Sequence, residues 1–338
     1  MAIRSQSPKT VVITGASAGV GRAVVRRFAR DGVNIGLIAR DEDRLQEAVR
    51  EVEEHGGKAL ACPLDVSDAD ALEAAAERIE QAFGPIDVWV NVAMATIFAP
   101  LDDITPAEFK RVTEVTYLGF VYGTMTALKR MKRRDHGTIV QVGSGLAYRS
   151  IPLQSAYCGA KHAVVGFTDS LRSELIHDKS KVKIGVVHLP GVNTPQFDWG
   201  RNKMGKRAQP VPPVFQPEIP AEAIHYMARH PRREIWLTWS TWKVMIGQTF
   251  AAGYLDRYLA KAAYGGQLGK EDQPPGPGNL FETVKGDYGA HGRFDAEANT
   301  KSSELTLAKH PWLTAALLTL IGLVVLFLLI LLAVWLVG

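Results

Sequence analysis

The stretch from Thr10 to Arg30 restricts this chain more than any other. Thr10-Val11-Val12-Ile13 is short, apolar and β-branched, and it runs directly into Thr14-Gly15-Ala16-Ser17-Ala18-Gly19-Val20-Gly21. Such a run favours a strand buried on both faces, and the glycines that follow favour a tight turn. From Val20 to Arg30 the pattern becomes helical, with Val24, Val25 and Phe28 on one face. Strand, glycine turn and helix open a βαβ unit, which commits the chain to a parallel sheet with helical crossovers. The turn also lets backbone come close to a pyrophosphate, while the first N–H groups of the helix supply positive partial charge. Gly15, Ser17, Gly19, Val20 and Gly21 are therefore candidate cofactor-binding residues.

The alternation continues downstream. Strands are expected at Asn34–Ala39, in a short piece up to Leu64, and at Ile86–Val90, 138–142 and 182–188; helices are expected at Val20–Arg30, Asp43–Glu54, 68–83, 106–132 and 155–177. The fold class is α/β, a Rossmann-type doubly wound parallel sheet with helices on both faces. After Pro190 the character shifts. Residues 198–220 are rich in Pro, Lys and Arg and read as a mobile substrate loop; helices are expected near 221–230 and 243–262, and a short strand near 234–238. Repeated Gly and Pro fill 265–278, and 283–310 is polar without periodicity. The expected organisation is a domain over 1–262 (198–262 being substrate loop and extension), a linker over 263–312, and a final helix. A flexible linker of about 28 residues has a reach of about 30 Å.

The final segment carries no charge from Leu313 to Val337. A helix of about 20 apolar residues crosses a hydrocarbon core, so 313–337 is expected to be a transmembrane helix in contact with the lipid bilayer. Lys301, Lys309 and His310 precede it and no charge follows, which favours a single-pass C-terminal anchor with the globular part on the cytoplasmic side. No signal peptide is expected at the N-terminus, where the apolar run Val11–Ile13 is short. A net charge of +4 without aromatic-basic interleaving argues against nucleic acid. Two cysteines, Cys62 and Cys158, rule out a disulfide framework, and the histidines show no metal spacing.

Chemistry is carried by a second pattern. Ser144 ends the 138–142 strand region, Tyr157 lies thirteen residues on, and Lys161 follows four later. Residues four apart share a helix face, so phenol and ammonium enter one site together. A fixed cation beside a phenol favours phenolate and lowers its pKa toward a useful acid-base range. Together with the glycine spacing 15, 19, 21, these residues resemble the short-chain dehydrogenase/reductase family over about residues 8–195, and more loosely to about 260. The resemblance implies Tyr157 as acid/base, Lys161 as its activator and Ser144 as the group positioning the substrate oxygen. It further implies cofactor contacts from Asp65 and Val66 after the third strand, Asn91 after the fourth, and Pro190, Gly191, Val192 and Thr194 after the sixth. Family members often dimerise through the helices near 106–132 and 155–177, so a homodimer is implied.

Two positions depart from the family pattern. Asn91-Val92-Ala93-Met94 has Met where the family has Gly, and Thr116 stands where the family places a catalytic Asn whose backbone carbonyl supports a water relay. Thr keeps that carbonyl, so altered efficiency is expected rather than an inert protein. A carboxylate ending the second strand selects NAD; here Ala39 ends it and Arg40 follows, which favours the 2′-phosphate of NADP(H). Asp41 would be the NAD-selecting acid only if the strand ran longer. Arg201, Lys203, Lys206 and Arg207 are basic residues placed to meet lipid headgroups or solvent, and Trp236, Trp239 and Trp242 to pack, line a substrate mouth or meet a membrane interface. The reading is an NADP(H)-dependent oxidoreductase interconverting carbonyl and alcohol on a lipophilic small molecule. The alternatives are a membrane-anchored NADP(H)-binding scaffold or sensor without turnover, and a sugar-nucleotide epimerase, against which the eight-residue glycine motif argues.

Overall fold

A computed structural model describes residues 8–337 of the chain. Seven parallel strands form one sheet: β1 (Thr10–Thr14), β2 (Asn34–Ala39), β3 (Ala59–Pro63), β4 (Val88–Asn91), β5 (Thr138–Ser144), β6 (Lys183–Leu189) and β7 (Glu234–Trp236), in the order β7-β6-β5-β4-β1-β2-β3. The connecting helices are α1 (Gly19–Ala29), α2 (Glu42–Glu53), α3 (Ala69–Phe83), α4 (Pro106–Thr113), α5 (Gly119–Arg133) and α6 (Ser155–His177). Alternate strand residues leave to opposite faces, and both faces are covered. Val11 and Ile13 pack with Val24 and Phe28 on one side, while Val12 and Trp89 pack with Leu72 and Ile139 on the other. That is why β1 reads as an unbroken apolar run. The strand order reverses between β1 and β4, so a crevice opens beyond their C-terminal ends.

Local chemistry starts the helices where the pattern expects them. Asp41 and Asp68 cap α2 and α3 through side-chain bonds to Arg44 N and Ala71 N. Thr105 and Glu108 form a capping box ahead of α4. The expected helix 106–132 is divided by a π-helical turn, Glu114–Leu118, which brings Thr116 to the break.

The region after β6 departs further from expectation. The loop 198–220 is held by short pairings, Val214–Phe215 with Gly191–Val192 and Arg201–Asn202 with Ile97–Phe98, over buried Phe197. Its basic residues are not free for headgroups. Arg201 and Lys203 both bind Glu108, Lys206 binds Asp272, and Arg207 binds Asp198 and Glu271. Glu108 is nearly buried, and these partners hold its carboxyl down at about 2 against the opposing effect of burial. The helix expected at 243–262 runs over Trp239–Gly266 with a break at Ala251.

The linker expected over 263–312 is instead packed on the domain. Leu268–Asp272 pairs antiparallel with Lys206–Ala208, and Leu280, Ala290, Phe294 and Leu305 are buried at wide, irregular spacing. Such isolated anchors have no period, which is why polarity alone reads this stretch as free chain. Trp236 stacks on His188, Trp239 is exposed, and the side chain of Trp242 lies outside the described residues.

The last stretch forms the helix Pro311–Val337. The expected transmembrane span 313–337 is not supported: among the described residues no helix is long and apolar enough to cross a membrane.

Candidate active site

A cavity of about 430 Å³ lies beyond the C-terminal ends of β1, β4, β5 and β6. Its floor is the glycine turn. Gly19 has φ +56°, in the left-handed region open to glycine, and a Cβ on Gly21 would stand 1.9 Å from the Gly15 carbonyl oxygen. The turn therefore presents bare backbone with Ser17 and Val20 beside it, a cradle suited to a pyrophosphate. Pro190, Gly191, Val192 and Thr194 line the opposite wall, and Val66 and Val115 the far end. These residues fit a nicotinamide dinucleotide stretched across the switch point.

Ser144, Tyr157 and Lys161 meet at the inner end of this cavity. Ser144 is the last residue of β5; its Oγ accepts from Leu146 N at 3.1 Å, and it lines the cavity together with Tyr157. Tyr157 and Lys161 lie one turn apart on α6. Lys161 is buried, its Nζ donating to the Val142 carbonyl at 2.7 Å and lying 5.7 Å from the Tyr157 ring centroid. Burial pushes the Lys161 ammonium down to about 7. Burial also pushes the Tyr157 phenol up, and the neighbouring Ser144 hydroxyl offsets only part of this. The expected lowering of the Tyr157 pKa is thus not met by the protein alone. A dry site penalises phenolate, and the lysine directs its hydrogen bond to a backbone carbonyl.

A pH effect on stability follows from Lys161. Its folded pKa lies below the ordinary 10.5, so between about pH 7 and 10.5 the unfolded chain binds the extra proton and stability rises with pH. Against Lys161→Met, wild type should gain stability as pH increases from 7 to 10. Urea titrations of both proteins at several pH values check this; a constant difference would show that Lys161 titrates normally.

The adenosine end holds a dense group of cations. Arg40 and Arg44 line the cavity, with Arg111 beside them; burial first, then Arg111, lowers the affinity of Arg40 for its proton. Asp65 lies here too, accepting from Ser67 N at 2.9 Å, Ser67 Oγ at 2.7 Å, and Arg111. β2 ends at Ala39, and Asp41 is occupied as the α2 cap, so no carboxylate ends the strand.

Two expected site residues face elsewhere. Asn91 is buried between Trp89, Thr124 and Gln141, to which its side chain hydrogen-bonds at 2.9, 3.1 and 2.9 Å, so it ties the sheet to α5 and does not line the cavity. Thr116 Oγ1 accepts from Ala95 N at 2.9 Å and donates to Ala95 O at 2.8 Å. Its side chain is thereby fixed to the loop carrying Met94, and only its backbone remains for any relay. Leu259, Ala263, Gln267, Leu280 and Thr283 also line the cavity, beyond the residues expected from the sequence. Leu259 and Ala263 share a helix face, a signal available in the sequence. Leu280 and Thr283 offered none.

A profile described as short chain dehydrogenase matches residues 9–204. The chain is 30% identical over 319 residues to an uncharacterized oxidoreductase, YxnA, of Bacillus subtilis, covering 93% of this chain and 89% of that protein. Among solved structures it is similar to an alcohol dehydrogenase of the archaeon Thermococcus sibiricus complexed with 5-hydroxy-NADP (TM-score 0.58, 29% identity, 68% of this chain and 95% of that one). It is also similar to a short chain dehydrogenase of Mycobacterium paratuberculosis bound to NAD (TM-score 0.59, 25% identity, 68% and 95%). The chain belongs to the short-chain dehydrogenase family. It is an oxidoreductase acting on CH–OH and C=O groups with a nicotinamide cofactor.

Proposed function

We propose that this chain is an NADP(H)-dependent carbonyl reductase or alcohol dehydrogenase for a lipophilic substrate, with Tyr157 exchanging the proton. The bound nicotinamide supplies or accepts the hydride. The observation that carries the reading is the convergence of Ser144, Tyr157 and Lys161 in one cavity with the glycine cradle. In the reductive direction Ser144 and the Tyr157 hydroxyl hold the carbonyl oxygen, and the Tyr157 proton moves to that oxygen as charge develops on it. Lys161, when protonated, stabilises the phenolate left behind; the same groups run the reverse reaction. The preference for the 2′-phosphate is supported by Arg40 and Arg44 and by the absence of a carboxylate at Ala39. An apolar substrate is supported by Leu146, Ile151, Phe197, Leu259 and Ala263 around the cavity. The uncharged run Leu313–Val337 supports attachment to a membrane, with Lys301, Lys309 and His310 keeping the globular part on the cytoplasmic side. Exposed Met125 and Ile176 on α5 and α6 support a homodimer through those helices.

The test is NADPH oxidation by the full chain with phospholipid vesicles, against ketones and aldehydes of graded chain length. Turnover should rise with lipophilicity, fall with NADH, and sediment with the vesicles. Tight NADPH binding with no oxidation of any carbonyl would instead support the scaffold reading.

A further inference from the structure

The polar stretch after Gln273 crosses the mouth of the nucleotide cleft from one end to the other. At the adenosine end Arg40 donates to the carbonyls of Phe281 and Asn279, at 2.8 and 2.6 Å, and Arg111 to that of Leu280 at 3.0 Å. One station along, Arg44 donates to the carbonyls of Gly286, at 2.6 Å, and Val284. At the phosphate cradle Gly19 N donates to Gly289 O at 3.0 Å. At the nicotinamide end Gly292 runs so close to Thr194 that a Cβ on it would stand 2.5 Å from the Thr194 carbonyl oxygen.

In these hydrogen bonds the donor belongs to the domain and the acceptor is a strap carbonyl. The strap therefore needs no distinctive side chains to be held, which accounts for its unremarkable sequence. Two apolar anchors fix it: Leu280, fully buried, and Tyr288, whose ring lies 4.6 Å from that of Trp199 with the Arg44 guanidinium alongside. Leu280 and Thr283 nevertheless face the cavity, together with Arg40 and Asp65. Space for a ligand thus remains beneath the strap.

We infer that residues 279–289 form the outer wall of the nucleotide site and enclose the adenosine half of the bound dinucleotide. Asn279, Leu280 and Thr283 are then binding residues, and the strap must lift for the nucleotide to enter or leave. This rests on the NADP(H) reading above. It makes release of the nucleotide dependent on strap contacts lying outside the cavity, those of Tyr288 and Arg111.

Two measurements on the full chain test it, with NADPH as the probe. Amide hydrogen exchange over 279–289 should slow about ten-fold or more on NADPH saturation. NADPH release, followed by its fluorescence during displacement by excess NADP, should accelerate about ten-fold in Tyr288→Ala, as expected for loss of one latch contact, and by at least that much in Arg111→Ala, which also frees Asp65 and Ser67. The KM for the carbonyl should stay within about two-fold, since neither residue lines the cavity. Exchange that is unchanged or faster with NADPH would overturn the proposal, the latter showing that strap and nucleotide compete for one place. Unaltered release in both folded variants would overturn it as well. The wild-type exchange measurement decides the matter even if neither variant folds. Failure to bind NADPH at all would sink the functional reading together with the strap, whereas binding without protection sinks the strap alone.

Discussion

Tyr157→Phe lowers the rate of carbonyl reduction about 10²- to 10⁴-fold, the range typical of losing a positioned general acid. The substitution removes one oxygen and little else. Ser144 keeps its bond from Leu146 N, so the strand end stays in place. Nucleotide affinity should change less than about three-fold, because the glycine cradle and the arginines at the far end are untouched. The informative comparison is therefore kcat against NADPH Kd, measured by stopped-flow turnover and by fluorescence titration. Burial raises the phenol above its ordinary range, so donation to the substrate oxygen depends on a protonated Lys161 stabilising the phenolate left behind. Full turnover by the phenylalanine variant would remove Tyr157 from the chemistry and leave Ser144 or solvent as the acid.

How much of this was legible beforehand depends on where each residue's constraints come from. The sheet announces itself because strands buried on both faces are rich in apolar, β-branched residues, as Val11–Ile13 and the Ile139, Val140 and Val142 of β5 are. Tyr157 and Lys161 were legible because helical geometry alone makes neighbours of residues four apart. Asn91 ends its strand as expected, but its side chain faces the sheet–helix interior and not the cavity. Which way a residue at a strand end points depends on what packs beyond it, and here Thr124 and Gln141 draw the amide inward. The strap was illegible for a different reason. Its binding atoms are backbone carbonyls, which every residue has, and its anchors Leu280 and Tyr288 form no periodic pattern. Sequence patterns report side-chain periodicity, so a segment held by its main chain reads as linker.

Arg40→Asp should change nucleotide preference by about 100-fold or more, from NADPH toward NADH. A hydrogen bond to a charged group is worth about 1.5–3 kcal/mol, or roughly 10- to 100-fold in affinity, so losing the guanidinium weakens NADPH by that amount. The new carboxylate adds to the ratio from both sides: it repels a 2′-phosphate and can accept from a ribose hydroxyl. Arg44 and Arg111 remain nearby and favour the ionised form of that carboxylate. One complication is specific to this chain. Arg40 also donates to the carbonyls of Asn279 and Phe281, so its loss loosens the strap for either nucleotide. Arg40→Ser separates the two effects: strap loosening weakens NADPH and NADH alike, while loss of phosphate recognition weakens NADPH alone. Kd values for both nucleotides across wild type, Arg40→Ser and Arg40→Asp then order the contributions. If the NADPH/NADH ratio is the same in all three, the 2′-phosphate is held elsewhere, with Arg44 the nearest remaining cation in the cavity.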